Sequence, residues 1–343
     1  MVADAGSVHT RRWTTGLQAR GHEICLVTER PWPDAPVPIT LLPKLGRGRW
    51  NLGVLAGQVR ARAAGWRADV VHAHYASHYG FLAALARVRP LVISVWGADV
   101  EVFPTRWAPN RWILAWTLAR ADRITATSRY LAAVTARYSA GRRIDVVPWG
   151  VDQSWLESPG KGPPEGPLTV IANKHLEPVY GLDLLLEAMA GLAPPWRLVL
   201  LGRGSAEDAL RARARRLGIA DRVEWPGAVD PATVRRYLDA AHMAAFPSRR
   251  ESFSVATLEA AARGLPVVAS RVGGLPEVVE EGVTGLLIEP ENTEGLRQAL
   301  ADLAADPARR RQMGAAGRRM VAERFRWTAT LEAMESVYAR EGA

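Results

Sequence analysis

The sequence predicts an α/β protein made of two doubly wound domains, each with a parallel sheet. Three observations lead there. Short runs rich in Val, Ile and Leu alternate with helical stretches along the whole chain, so the strands are covered on both faces and joined by helical crossovers. Residues 154–167 carry Pro and Gly too densely for a helix or strand interior, and they divide the 343 residues nearly in half. Each half repeats the alternation and is long enough to bury a core of its own.

In the first half the apolar runs are residues 23–28, 68–74, 90–96, 123–127 and 144–148; in the second they are 168–172, 196–202, 223–227, 243–247 and 265–270. A doubly wound sheet binds ligands beyond the carboxyl ends of its strands, so two such edges are expected to face one cleft. The beginning is unusual. Only Met1-Val-Ala-Asp precedes the loop Ala5-Gly-Ser-Val-His, whereas a first strand takes about five residues. This predicts that the natural start lies several codons upstream.

Composition narrows the class. Apolar residues make up 48% and charged residues 23%, a globular balance, and no apolar run reaches the length of a membrane span. No charged n-region and apolar h-region open the chain, which predicts a cytoplasmic protein. The single cysteine, Cys25, sits in the run Ile24-Cys-Leu-Val and reads as a small buried hydrophobe; one cysteine allows neither a disulfide framework nor a cysteine metal site. The net charge of +9 lies entirely in residues 1–160, where Lys and Arg outnumber Asp and Glu 20 to 11, while residues 161–343 hold 24 of each. A basic half points to an anionic partner such as nucleic acid, an acidic lipid surface or a phosphorylated acceptor, or to cations that are simply solvated.

The most informative motif is Glu251-Ser-Phe-Ser-Val-Ala-Thr-Leu-Glu259. A short buried strand precedes it; a helix with a Gly stop and a second apolar strand follow. Glu251 is therefore expected on a strand-to-helix loop and Glu259 within the helix. Free N–H groups and positive dipole potential at that helix start suit an anion, with a carboxylate on either side for hydroxyl groups. A sugar linked to a phosphate has both features.

With these pieces placed, the chain closely resembles the retaining glycosyltransferases of family 4, which share the GT-B fold. The two-glutamate motif is followed at the family's spacing by Gly264-Leu-Pro-Val-Val-Ala-Ser and Gly273-Gly-Leu-Pro-Glu-Val-Val-Glu-Glu-Gly-Val-Thr-Gly. Gly202-Arg-Gly204, Arg20-Gly-His-Glu, Pro148-Trp-Gly-Val-Asp and Glu323-Arg-Phe-Arg-Trp are weaker matches. The resemblance implies two Rossmann-like domains: an acceptor domain over residues 1–158, on which a last helix from about 325 to 343 packs back, and a nucleotide-sugar domain over 159–324. It implies that Glu259 accepts hydrogen bonds from the ribose hydroxyls and that Glu251 contacts the donor sugar. It also implies that amides near Phe253, Ser254 and Val255 hold the sugar and diphosphate, and that Gly6 and Ser7 let backbone approach the phosphates. Gly202 and Gly204 join this donor set. A leaving nucleoside diphosphate gains negative charge, which fixed cations and amides stabilise without a metal; no metal and no cofactor are expected. Cell-envelope polysaccharide synthesis on the inner face of the membrane is the implied setting.

Two departures from the family pattern stand out. In Asn173-Lys-His-Leu-Glu-Pro-Val-Tyr-Gly, Lys174 stands for the usual Arg, without its bidentate fork, and Tyr180 stands where a Lys often contacts the diphosphate. In Ser94-Val-Trp-Gly-Ala-Asp99, Trp96 takes the place of a frequent His, which makes Asp99 the polar residue expected beside the acceptor. His72, His74 and His78 fall at one strand end. A metal site there lacks a third ligand, and His74 or His78 is read as lining the acceptor side. No protein nucleophile is evident.

Trp107, Trp112 and Trp116 alternate with Arg, either as core packing or as an interfacial surface for a lipid-linked acceptor. Nucleic-acid binding needs aromatic platforms in a basic groove, which the sequence does not establish, so no nucleic acid is expected. The function expected is transfer of a sugar from a nucleotide-diphosphate sugar to a lipid-linked, phosphorylated or glycan acceptor. A nucleotide-sugar epimerase and a non-catalytic carbohydrate- or anion-binding protein are the alternatives.

Overall fold

The computed structural model describes residues 1–43, 52–157 and 165–339. Two compact units emerge: Met1–Pro148 together with the chain from Thr330 onward, and Trp149–Ala329. Residues 158–164, the middle of the expected linker with its boundary at 158/159, and the last four residues of the expected returning helix lie outside the described residues. Residues 149–157, placed in the first half from sequence, belong to the second unit. The reason is packing: Val151 and Trp155 are buried in that unit's core beside Phe253, Leu258 and Phe325.

The first unit begins with Val2 and continues through α1 (Val8–Ala19), β1 (Leu26–Thr28), β2 (Ile39–Leu41), α2 (Leu52–Gly65) and β3 (Val71–His74). It goes on with α3 (Phe81–Ala86), β4 (Leu91–Val95), α4 (Ala98–Glu101), α5 (Phe103–Arg106), α6 (Ala108–Leu118), β5 (Arg123–Ala126), α7 (Arg129–Ala136) and β6 (Ile144–Val146). β1 and β2 pair, β3 to β6 form a parallel set in chain order, and Val2 bridges Val27 on one side and Ala73 on the other. Strand order therefore reverses at Val2, between β1 and β3. Every residue of β3 and β4 is buried, His72 and His74 of β3 included, as strands covered on both faces by helices require. The final helix, numbered α15 below, contributes Thr330, whose hydroxyl donates to Pro148 O at 2.8 Å, and Glu335, whose carboxylate receives two N–H bonds from Arg20.

The second unit runs α8 (Gln153–Leu156), β7 (Leu168–Asn173), α9 (Leu182–Ala190), β8 (Trp196–Leu201), α10 (Glu207–Arg216), β9 (Val223–Gly227), α11 (Pro231–Asp239) and β10 (Met243–Phe246). It closes with α12 (Val255–Ala262), β11 (Val267–Ser270), β12 (Gly285–Ile288), α13 (Thr293–Ala305), α14 (Pro307–Arg324) and the start of α15 (Trp327–Ala339). Its six strands are parallel in the order β12-β11-β10-β7-β8-β9. That is the dinucleotide-fold arrangement, whose order reverses between the first and fourth strands. β7 and β10 are those strands here. Local signals set the helix starts: Asp230 caps α11 by accepting from Ala232 N and Thr233 N, with Pro231 at its first position.

Candidate active site

At the reversal between β7 and β10 the two strand ends carry Asn173-Lys174 and the loop of residues 247–254. Lys174 Nζ donates to Glu251 Oε2 at 2.5 Å and to Ser254 Oγ at 3.0 Å. The two charged side chains are only 10% and 13% exposed, so solvent screens this pair far less than a surface ion pair. The Tyr180 ring lies 4.9 Å from the ammonium and the Phe246 ring 5.8 Å, a cation–π seat that fixes Nζ from the apolar side. Burial, then the Glu251 charge, pushes the Tyr180 phenol above its ordinary value, so Tyr180 is neutral and cannot replace the missing cation by its charge. Beside this group Asn173 Nδ2 donates to Glu259 Oε2 at 2.8 Å.

Local backbone explains how these side chains are held. Ser254 is the N-cap of α12 at φ 126° and ψ 89°, a region costly for an L residue and kept only where surroundings over-determine it. Its hydroxyl accepts from Thr257 Oγ1 at 2.9 Å as well as from Lys174. Glu251 is held from behind: Gly274 N donates to its carbonyl at 2.9 Å, and a Cβ at Gly274 would lie 2.4 Å from Ser252 O. The Gly273-Gly274 motif thus serves the glutamate loop by close approach. Glu251 lies on the loop and Glu259 inside α12. Phe253 offers main chain only, since its ring is buried 6.1 Å from that of Phe325, and Val255 opens the helix.

Gly202 and Gly204 have a structural task that local sequence pattern does not reveal. A Cβ on Gly202, at φ +142°, would lie 2.1 Å from Lys174 O, and one on Gly204 2.3 Å from Leu176 O. They form the bed under the Lys174 loop, which Lys174 N and Leu176 N stitch to Leu201 O and Arg203 O at 3.0 Å each. Asn173 is a site residue that the motifs do not single out. The available signal was a polar residue, poorly suited to strands, closing a buried strand next to Lys174.

In the first unit the reversal point lies between Val2 and β3, followed by the Gly6-Ser7 loop and by His74. Gly6 N donates to Asp4 Oδ1 at 2.8 Å, and Ser7 is the extended N-cap of α1. His74 does not line an open surface. It is 1% exposed, with the Trp96 ring tilted by 42° at 4.7 Å and the His72 ring edge-on at 4.4 Å between centroids. Among the described residues, neither of its ring nitrogens has a hydrogen-bond partner. Trp96 covers it. Burial, reinforced by His72, holds the His74 imidazole well below its ordinary pKa, and burial takes His72 down to about 3.

His72 bonds Tyr338 Oη and Ser94 Oγ, both at 2.7 Å, whereas His78 pairs with Glu29 at 3.1 Å. Asp99 is fully buried and accepts from Ala76 N, Gly97 N and Trp96 N at 2.8, 2.9 and 3.1 Å. Desolvation raises its pKa against the lowering effect of those amides. Its carboxylate organises the Trp96 loop. Among the described residues no three His, Cys, Asp or Glu side chains gather as a metal site, and no helix is long and apolar enough to cross a membrane.

Known proteins resemble the chain in both sequence and fold. Residues 153–320 match the family model of glycosyl transferases group 1, and residues 6–155 match that of Glycosyltransferase Family 4. The chain is 32% identical to a D-inositol 3-phosphate glycosyltransferase of Segniliparus rotundus, over 98% of this chain and 85% of that protein. It is 26% identical to a glycogen synthase of Mycobacterium tuberculosis, over 96% and 89%. Among solved structures, HepE of Anabaena in complex with UDP superposes with a TM-score of 0.84 at 20% identity, covering 98% of that chain and 99% of this one. Two parallel α/β units, a glutamate pair at the reversal point of the second, and matches spanning both units agree: the chain belongs to glycosyltransferase family 4 and is a glycosyltransferase of the GT-B fold.

Proposed function

We propose that this glycosyltransferase moves a hexose from a nucleoside-diphosphate sugar to an acceptor hydroxyl, with retention of anomeric configuration and without a metal. One observation carries the reading. Lys174, Glu251 and Ser254 meet at the start of α12, with Asn173 and Glu259 beside them. In the reaction the bond between the anomeric carbon and the diphosphate oxygen breaks with its electron pair leaving on the diphosphate, the acceptor oxygen bonds to the same face, and the acceptor proton passes to the departing diphosphate or to solvent. Charge grows on the diphosphate. In this reading the Lys174 ammonium and the first amides of α12 stabilise it, since an α-helix leaves its first amides without intrahelical partners. Glu251 meets sugar hydroxyls and Glu259 the ribose, since a carboxylate accepts several such bonds. The UDP complex of the HepE fold neighbour supports a nucleotide of this kind.

On the acceptor side, His74 and Asp99 act as positioning residues, because one lies under Trp96 and the other ties that loop by its amides. Gly6 and Ser7 supply close main-chain approach. The D-inositol 3-phosphate in the name of the Segniliparus relative and the basic first half support an anionic acceptor. The test is a thermal-shift screen with UDP, GDP, ADP and their sugars. Saturation near a hundredfold over Kd stabilises the folded state by about 2.7 kcal/mol. Product analysis by NMR then reads the anomer. No shift with any nucleotide, together with no nucleotide released from any sugar donor, would overturn the reading.

A further inference from the structure

The first unit carries an aromatic and cationic surface that donor chemistry does not use. Trp112 is 79% exposed and Trp107 55%, the two large aromatic side chains most open to solvent among the described residues. Trp116, four residues on, is instead half-buried against Phe81 at 5.5 Å, with the Arg120 guanidinium 3.5 Å from its centroid. Of the three tryptophans, core packing holds for Trp116 alone. Exposed Arg106 and Arg111 immediately precede Trp107 and Trp112. Neither Arg has a carboxylate partner among the described residues, and no Asp or Glu occurs from residue 102 to 121. The face of α6 opposite Trp112 is anchored by buried Leu114, Thr117 and Leu118, so Trp112 sits on a fixed helix whose N-cap residue is Trp107.

We infer that Arg106, Trp107, Arg111 and Trp112 form a docking surface for an anionic lipid bilayer. Two properties favour that occupant. Indole rings are apolar bodies with one N–H donor and settle at headgroup depth, while guanidinium groups beside them meet lipid phosphates. A second copy of this chain meeting the patch about a two-fold axis would set Arg against Arg, with no acid nearby to compensate. Position supports the role as well. α5 and α6 follow α4, which starts at the carboxyl edge of β4 where Trp96 and Asp99 lie. A bilayer held here would present a lipid-linked acceptor to that edge. Docking itself is independent of the donor chemistry; the presentation of an acceptor rests on the proposed transfer reaction.

The test is co-sedimentation of the full chain with vesicles of phosphatidylcholine alone or mixed with phosphatidylglycerol. Wild type is expected on the mixed vesicles and not on the neutral ones, with binding weakened by salt. The Trp107→Ala/Trp112→Ala variant and the Arg106→Ala/Arg111→Ala variant are each expected to bind about tenfold more weakly or worse. Unchanged melting temperature and unchanged nucleotide-induced thermal shift would show that fold and donor site are intact in both. The inference fails if wild type ignores anionic vesicles or if the tryptophan variant binds them as well as wild type. It also fails if the tryptophan substitutions instead dissociate a dimer in sedimentation, which would assign the patch to a second copy.

Discussion

Asn173 and Glu259 are joined by a 2.8 Å hydrogen bond between the end of β7 and the second turn of α12. The amide takes one lone-pair position on Glu259 Oε2 and thereby fixes the plane of the carboxylate. A carboxylate that must accept two vicinal hydroxyls gains from such preorganisation, because less side-chain freedom is lost on binding. Asn173→Ala is expected to raise the donor KM about tenfold with a smaller change in kcat. In a double-mutant cycle with Glu259→Gln the two effects should fall well short of additive. Full additivity would show that the bond does not position the glutamate.

Lys174 and Glu251 offer a sharper contrast. Removing the lysine leaves a nearly buried carboxylate without its partner, which costs about 3 kcal/mol of stability, and also removes the cation proposed to face the diphosphate. Lys174→Ala should therefore lower both the melting temperature and kcat, the latter by about a hundredfold. Lys174→Arg should recover much of each. Glu251→Gln keeps a hydrogen-bond acceptor for Nζ, so its loss should fall on turnover more than on folding. Wild-type turnover in Glu251→Gln and Glu251→Ala would remove the glutamate from the mechanism.

Glycine substitutions separate backbone strain from collision. Gly218 has φ +68°, and a Cβ added there would meet nothing within 4 Å, so Gly218→Ala should cost only the left-handed penalty of about 1 kcal/mol. Gly202→Ala meets Lys174 O at 2.1 Å as well as a positive φ. It should cost more than about 3 kcal/mol and blunt the nucleotide-induced thermal shift, because the loop carrying Lys174 must move. Urea unfolding of the two variants makes the comparison; equal costs would mean that Gly202 is not packed against that loop.

His72 sets a pH dependence whose sign can be worked out. Burial lowers its folded pKa to about 3 from the ordinary histidine value of 6.5, so between those values the unfolded chain binds a proton that the folded chain does not. Stability from this group is complete above the unfolded value and falls as pH drops from there toward 3. The slope approaches about 1.4 kcal/mol per pH unit for one histidine, and His74 adds in the same direction. His72→Gln should flatten part of that acid limb when melting temperature is followed from pH 7 to 4. An acid limb identical to wild type would mean that His72 is protonated in the folded state.

The alternation of apolar runs and helices, the division into two units and the placement of Glu251 and Glu259 were legible because each depends on local pattern. What was not legible depends on strands meeting. The bond from Asn173 to Glu259 and the support of Lys174 by Gly202 both join segments from different crossovers, and single-chain periodicity carries no register between strands. The fate of His74 turned on one neighbour: Trp96 in the next strand's loop decides whether the imidazole is open or covered. Trp112 and Trp116 share a spacing that core packing and surface display satisfy equally, and only tertiary placement separates them.

β7 and β10 lie side by side although three crossovers separate them in the chain. Lys174 and Glu251 therefore come together only after the fourth strand of the unit has docked against the first, the most non-local pairing of that sheet. A chain that has released only β7, β8 and β9 has Lys174 without Glu251 and Asn173 without Glu259. The contact of Lys174 with Glu251 is thus a late product of synthesis, formed once the strand and loop ahead of α12 have left the ribosome, and the proposed nucleotide binding would report completed folding in this unit.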